Sequence, residues 1–141
     1  HSFSRRQRQM CIRDSLEIMQ REKSWEIITA RGRSISERWL RLAAKYNLNI
    51  ETWGLPALSG FTFKYPDAQK YKTLITQEML KQGFLAANSI YVCIDHTPEI
   101  IDEYFDRLDP LFAMIRECED GLDIESKLEG PISHSGFKRL N

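Results

Sequence analysis

The chain has 141 residues, enough for one domain with its own core, and its hydrophobic (42%) and charged (28%) fractions are those of an ordinary globular protein. Lys+Arg and Asp+Glu both number 20, and this zero net charge argues against nucleic acid or an anionic membrane surface as the partner. No apolar run approaches the length of a membrane span. Cys11, Cys93 and Cys118 are too far apart for a disulfide framework, so a cytoplasmic location is expected.

Residues 1–15 differ from the rest of the chain. They carry Arg5, Arg6, Arg8 and Arg13 and little apolar periodicity. A basic arm and an Arg- and Ser-rich transit peptide are two interpretations. A third is foreign sequence, because the string RRQRQMCIRDS resembles translated sequencing-adapter read-through. We favour a foreign or disordered leader, and the fold prediction therefore begins at residue 16.

A long helix is predicted from residue 24, after a shorter helix over residues 16–23. Ser24 is predicted to cap it, with Glu26 in the first turn. Gly32 lowers the stability of the helix by about 1 kcal/mol relative to alanine, so a bend or break is expected there. Asn47 is the predicted terminator. The apolar stripe of this helix, in which both tryptophans are expected to be core residues, consists of Trp25, Ile28, Gly32, Ile35, Trp39, Leu42 and Tyr46.

Three strands are predicted next. The first covers residues 50–53 and is followed by a turn over residues 54–56. In the second, Phe61, Phe63 and Tyr65 alternate with smaller or polar residues, which is typical of a strand with one buried face. Asp67 is predicted to cap a helix that stops at Gly83. The third strand is predicted over residues 89–94.

The sequence Thr97-Pro98-Glu99 predicts the start of the last long helix, with a hydroxyl cap and proline in the first turn. Pro110 is expected to kink or split this helix, which should end near Gly121. A short helix is predicted over residues 123–128. Together these elements predict an α+β fold: a small three-stranded, mainly antiparallel sheet covered on one face by helices, with a long N-terminal helix.

The residues alone indicate no active site. Cys93, Asp95 and His96 lie close together, but a zinc site needs about four ligands and no matching pair follows, so no metal is expected. Cys93 is interpreted as a small buried residue inside a strand. His134 and its serine neighbours Ser133 and Ser135 form no catalytic triad and are interpreted as docking or solvated residues.

A series of segments, taken in order, resembles the C-terminal small domain of class-III aminotransferases and glutamate-1-semialdehyde aminomutases, which are pyridoxal-phosphate (PLP) enzymes of fold type I. The segments are LEIMQREKSW (16–25), GLPALSGFTF (54–63), TQEML (76–80), GFLA (83–86), IDHTPEIID (94–102) and HSGFKRLN (134–141). The resemblance divides the chain into a leader, residues 1–15, and a small domain, residues 16–141, whose large PLP-binding domain is missing.

The resemblance implies an enzyme that moves an amino group between an amino donor and a keto or aldehyde acceptor. PLP and the Schiff-base lysine would belong to the large domain, so this chain is assigned no catalytic or cofactor-binding residue and is expected to be inactive alone. Its partners would be its own large domain and a second copy in a homodimer. The rival hypothesis is a stand-alone, non-catalytic binding or oligomerisation module.

The resemblance also places the loop of residues 86–89 against the substrate. Asn88 and Ser89 are therefore the predicted substrate-binding residues, and Asn88 is equally compatible with a plain turn residue. The loop lacks the glutamate of true aminomutases and the arginine of many amine transaminases. The small side chains of Ala86 and Ala87 leave room for a bulky substrate, such as a sugar-like or amino-acid-like ketone.

Overall fold

The structure, a computed structural model, describes residues 5–136. In this part of the chain the elements are α1 Arg5–Glu22, α2 Ser24–Lys45, β1 Ile50–Leu55, β2 Leu58–Phe63, α3 Ala68–Lys81, β3 Ser89–Tyr91, α4 Pro98–Glu119 and a 3₁₀ turn at Glu125–Lys127. Residues 1–4 of the leader, and residues 137–141 of the last segment of the resemblance, lie outside the described residues.

The three strands form one antiparallel sheet in the order β1-β2-β3. Phe61 and Phe63 of β2 point to one face and are almost fully buried, at 0% and 4% exposure. On that face α2 and α3 pack against the sheet. The opposite face leaves Trp53, Leu55 and Tyr91 exposed. The predicted α+β fold, with helices on one face of a small sheet, is therefore confirmed.

An aromatic cluster joins the sheet to the helices. The rings of Trp39 on α2 and Phe61 are 5.0 Å apart, and the ring of Phe112 on α4 is 5.7 Å from that of Phe61. Tyr71 on α3 closes the other side, 5.5 Å from Phe63. Such tilted and edge-to-face pairs stabilise a core beyond the area that they bury.

Helix α2 passes Gly32 without the break that is one of the two expectations. A Cβ atom at this position would lie 1.8 Å from the backbone oxygen of Pro56 in the β1–β2 turn. Glycine is therefore required by close packing and does not weaken the helix enough to interrupt it. Asn47 ends the segment in the left-handed region, at φ 53°, as predicted.

The start of α2 differs from the prediction. Lys23, at φ 47°, is the cap residue, and Ser24 is the first helical residue, with a buried hydroxyl that has no hydrogen-bond partner among the described residues. Trp25 is 50% exposed and is not a core residue, because the core reaches α2 only from Ile28 onward. Helix α1 starts at Arg5, earlier than predicted, since arginine, glutamine and methionine are good helix formers.

Helix α4 continues through Pro110, so the expected split is wrong. The buried stripe runs on both sides of the proline, through Leu108, Leu111 and Phe112. Each fully buried side chain of this kind contributes about 1.5–3 kcal/mol, which offsets the cost of about 3 kcal/mol for a proline inside a helix. The predicted Thr97 cap is confirmed, because its hydroxyl accepts a hydrogen bond from the Ile100 amide.

Several boundaries also differ. The β1–β2 turn is at Pro56 and Ala57, because β1 extends to Leu55. Asp67 precedes α3 without a side-chain cap bond. Strand β3 is short because only the segment Ser89–Tyr91 pairs with β2, so Cys93 lies beyond the strand and is half-buried.

Candidate functional site

The loop of residues 84–88 connects α3 to β3 and is fixed at both ends. At its entry, Gly83 has φ 85° and the Phe84 amide donates to the Met79 carbonyl over 2.9 Å. This left-handed glycine ends the helix and turns the chain. At its exit, Ser89 pairs with Gly60 of β2. The loop is therefore positioned by two regular elements, as is typical of ligand-binding loops.

Asn88 is bound to β2 by two hydrogen bonds. Its side-chain Nδ2 donates to the Phe61 carbonyl and its own carbonyl accepts from the Phe61 amide, each over 2.9 Å. A Cβ atom on Gly60 would lie 2.7 Å from the Asn88 carbonyl oxygen, so glycine permits this close approach. Asn88 thus holds the loop to the sheet through its side chain and its backbone carbonyl.

A cavity of about 300 Å³ lies beside this loop, between α2, β3 and α4. Its lining is mainly apolar and includes Ile35, Ala86, Ile90, Ile100 and Ile101. The polar residues of the lining are Ser89, Tyr91, His96 and Tyr104, of which Ser89 and Tyr91 direct their side chains to the outer face of the sheet. The combination of a mainly apolar cavity with a few polar groups is what small-molecule sites usually present.

His96 is held in a defined orientation at the rim. Its Nδ1 accepts a hydrogen bond from the Cys93 backbone amide over 3.3 Å. Because Nδ1 is the acceptor, the neutral imidazole carries its proton on Nε2. His96 therefore offers one hydrogen-bond donor to a molecule in the cavity.

Tyr104 forms the buried side of the cavity. Its hydroxyl accepts a hydrogen bond from Trp39 Nε1 over 3.1 Å and donates none to the other described residues. Burial raises the pKa of Tyr104 above its ordinary value, although the Trp39 bond opposes this change. The phenol therefore stays protonated at neutral pH and can donate to a ligand.

The two predicted binding residues thus have different positions. Ser89 lines the cavity, whereas Asn88 lies next to it and holds the loop. His96 and Tyr104 were missed as site residues by the sequence analysis. The sequence contained one signal for Tyr104: it carries a hydroxyl group at a position of α4 whose buried neighbours in the stripe are otherwise apolar.

Other candidates lie elsewhere. Ser133 docks onto α3, since its amide donates to Thr73 Oγ1 over 2.9 Å, whereas His134 and Ser135 are exposed. Within residues 5–136 there is no group of three or more His, Cys, Asp or Glu side chains that could hold a metal ion. In the same range no helix is long and apolar enough to cross a membrane.

Three of the described lysines are paired with carboxylates. A Schiff-base lysine needs a lowered pKa, but hydrogen bonds donated to Asp109, Glu125 and Glu129 raise the pKa values of Lys45, Lys70 and Lys81, respectively. None of the described lysines lines the cavity beside the loop. No reaction step on PLP can therefore be assigned to this part of the chain.

No protein-family model and no curated protein matches this sequence. One solved structure with a similar fold is that of the FumI protein of Sphingopyxis sp. MTA144 in its PLP internal aldimine form, with a TM-score of 0.64 and 16% sequence identity. The similarity covers 79% of this chain and 27% of the FumI chain. This chain thus has the fold of about a quarter of a PLP-containing protein.

Proposed function

We propose that residues 16–141 are the C-terminal small domain of a PLP-dependent class-III aminotransferase of the glutamate-1-semialdehyde aminomutase kind. The full-length parent would transfer an amino group between an amino donor and a keto or aldehyde acceptor. The observation that carries this proposal is the fold similarity, which covers 79% of this chain but 27% of the PLP-containing protein. The ordered series of sequence segments that resemble the aminotransferase family supports it independently.

In this proposal the chemistry is divided between two domains. PLP, which serves as an electron sink when bound, would belong to the large domain, because none of the described lysines lines the cavity. The small domain would supply the loop of residues 84–88 and the cavity beside it. His96 would orient the substrate in the cavity by a hydrogen bond, and the apolar lining would exclude water from it.

The outer face of the sheet supports a second domain as partner. Leu55, Leu58 and Tyr91 are neighbours in one row across the three strands and are 74%, 36% and 74% exposed. Trp53 continues this apolar surface at 44% exposure. Contiguous exposed apolar surface of this kind usually marks an interface. We propose that the parent's own large domain covers it, within a homodimer.

The experiment is to obtain the upstream coding region and to express it in frame with this chain. We expect the longer protein to form a lysine-bound PLP absorbance band and to transfer amino groups from common amino donors to keto or aldehyde acceptors. The isolated chain is the matched control. An upstream region without a PLP-binding domain would contradict the proposal and favour the stand-alone binding or oligomerisation module.

A further inference from the structure

The cavity beside the loop of residues 84–88 has walls that favour one chemical class of ligand. Ile35, Ile90, Ile100 and Ile101 supply branched aliphatic side chains from three different elements, and Ala86 leaves space at the loop. Among the described lining residues there is no lysine, arginine, aspartate or glutamate. The walls therefore offer no charged partner to a carboxylate or a phosphate group.

The polar groups at the cavity are few and lie apart in the sequence. Tyr104, at 5% exposure, has a hydroxyl whose proton is not donated to any other described residue. His96 Nε2 is a second donor, whereas the side chains of Ser89 and Tyr91 belong to the outer face of the sheet and leave only their backbone to the lining. A polyol would bury more hydroxyl groups than these residues can pair, and each unpaired group weakens binding.

The size of the cavity limits the ligand. A volume of about 300 Å³ is at the lower end of the range of ligand sites. This corresponds to about ten water-sized groups. One phenyl ring with a short chain, or a medium-length alkyl chain, has this size.

We propose that this cavity binds the apolar end of the substrate, an alkyl or aryl group attached to a ketone or an amine, with Tyr104 and His96 as the donors to a polar acceptor atom on that substrate. As an assignment of substrate class this rests on the proposed function, whereas the binding site itself does not require PLP. The walls disfavour the sugar-like substrates that the small loop residues alone would also admit.

The test uses the 141-residue chain with isotope-labelled methyl groups and two ketone probes, 4-phenyl-2-butanone and fructose. We expect 4-phenyl-2-butanone to shift the methyl resonances of Ala86, Ile90 and Ile100 saturably. The methyl groups of Leu55, exposed on the far face of the sheet, should not respond. Fructose should shift none of them.

Two variants and one matched control locate the site. Ala86→Phe fills the cavity and should weaken binding of the aryl ketone by about tenfold or more. Ile100→Ser makes an exposed wall position polar and should weaken binding without crowding the core. Ala30→Phe changes an exposed alanine of α2, which does not line the cavity, and should leave affinity unchanged.

Binding of fructose as tightly as the aryl ketone would overturn the proposal. Equal shifts at Leu55, or unchanged affinity in both cavity variants, would also overturn it. Because no cofactor enters this measurement, its failure is distinguishable from a failure of the aminotransferase assignment, which depends on the longer protein.

Discussion

Gly32 lies where the middle of α2 passes the β1–β2 turn, and a methyl group there has no room. Helix propensity alone predicts that Gly32→Ala stabilises the protein by about 1 kcal/mol. The 1.8 Å separation between a Cβ atom and the Pro56 oxygen predicts the opposite sign. We expect Gly32→Ala to destabilise the fold by about 1–3 kcal/mol in urea denaturation. Ser34→Ala, at an exposed position of the same helix, is the control and should be neutral or slightly stabilising.

Asn88 is a second residue for which a contact in the structure predicts the effect of mutation on stability. Asn88→Ala removes the bond from Nδ2 to the Phe61 carbonyl, so we expect a loss of about 0.5–1.5 kcal/mol in stability. Asn88→Asp places a carboxylate against that carbonyl and should cost more. Urea denaturation of both variants measures this effect.

A separate measurement tests the proposed contact with substrate. In the longer protein, a fall in kcat/KM beyond that of an equally destabilised core variant would support a role for Asn88 in binding. Unchanged kinetics with the fold intact would identify Asn88 as a residue that only holds the loop. The loss of stability expected for Asn88→Ala in urea denaturation does not depend on the outcome of these kinetic measurements.

At the scale of elements, α2 and α4 are joined by the buried bond between Trp39 and Tyr104. Burial raises the pKa of Tyr104 in the folded state, so the folded protein holds this proton more tightly than the unfolded chain does. The stability that this raised pKa contributes is fully present below the pKa of tyrosine in the unfolded chain, about 10, and is lost as the pH rises toward the pKa of Tyr104 in the folded protein. We therefore expect the free energy of unfolding to fall between about pH 10 and pH 11.

Tyr104→Phe isolates this contribution. The variant should be less stable at pH 7, because Trp39 Nε1 loses its acceptor. It should lose less stability than the unsubstituted chain between pH 9 and pH 11, a range set by the ordinary tyrosine pKa of about 10. Parallel slopes of stability against pH for the two proteins would contradict the assigned role of Tyr104. Tyr91→Phe, an exposed tyrosine, serves as the control.

Helix α1 is the element with the weakest connection to the rest of the protein. None of its residues is buried, and α2 is the element that it contacts in the described part of the chain. Isolated helices of this length are marginal in water, so α1 adds little to the stability of the core. We expect deletion of residues 1–15 to leave Tm unchanged.

The control for this deletion is Leu42→Ala in the core, where Leu42 is 8% exposed and truncation should cost about 2–5 kcal/mol. A fall of several degrees on deletion would correspond to about 1 kcal/mol and would show that the leader contributes to the fold. The assignment of residues 1–15 as a foreign or disordered leader otherwise stays a prediction.

At the scale of the whole molecule, the expected property is catalytic silence. Carboxylate partners raise the pKa values of Lys45, Lys70 and Lys81, so these amines are protonated and are poor nucleophiles at neutral pH. We expect the chain mixed with PLP to show no saturable aldimine absorbance beyond that of free lysine at equal concentration. A stable band that disappears on replacement of one specific lysine would contradict this expectation.

The sequence by itself determined the local features of the fold. Alternation of Phe61 and Phe63 identified the central strand, Thr97 identified the start of α4, and Asn47 and Gly83 marked helix ends. Each of these signals depends on residues within one or two turns or strand repeats, where backbone preference and side-chain periodicity act directly. The class of fold follows from the order of such elements.

The tertiary structure alone decided which residues meet. The exposure of Trp25, the continuity of α4 through Pro110 and the requirement for Gly32 all depend on what packs opposite them. The cavity depends on such contacts as well, because Ile35, Ser89, His96 and Tyr104 come from different parts of the chain. Local periodicity carries no information on these contacts, since burial against distant elements outweighs local preference by a few kcal/mol.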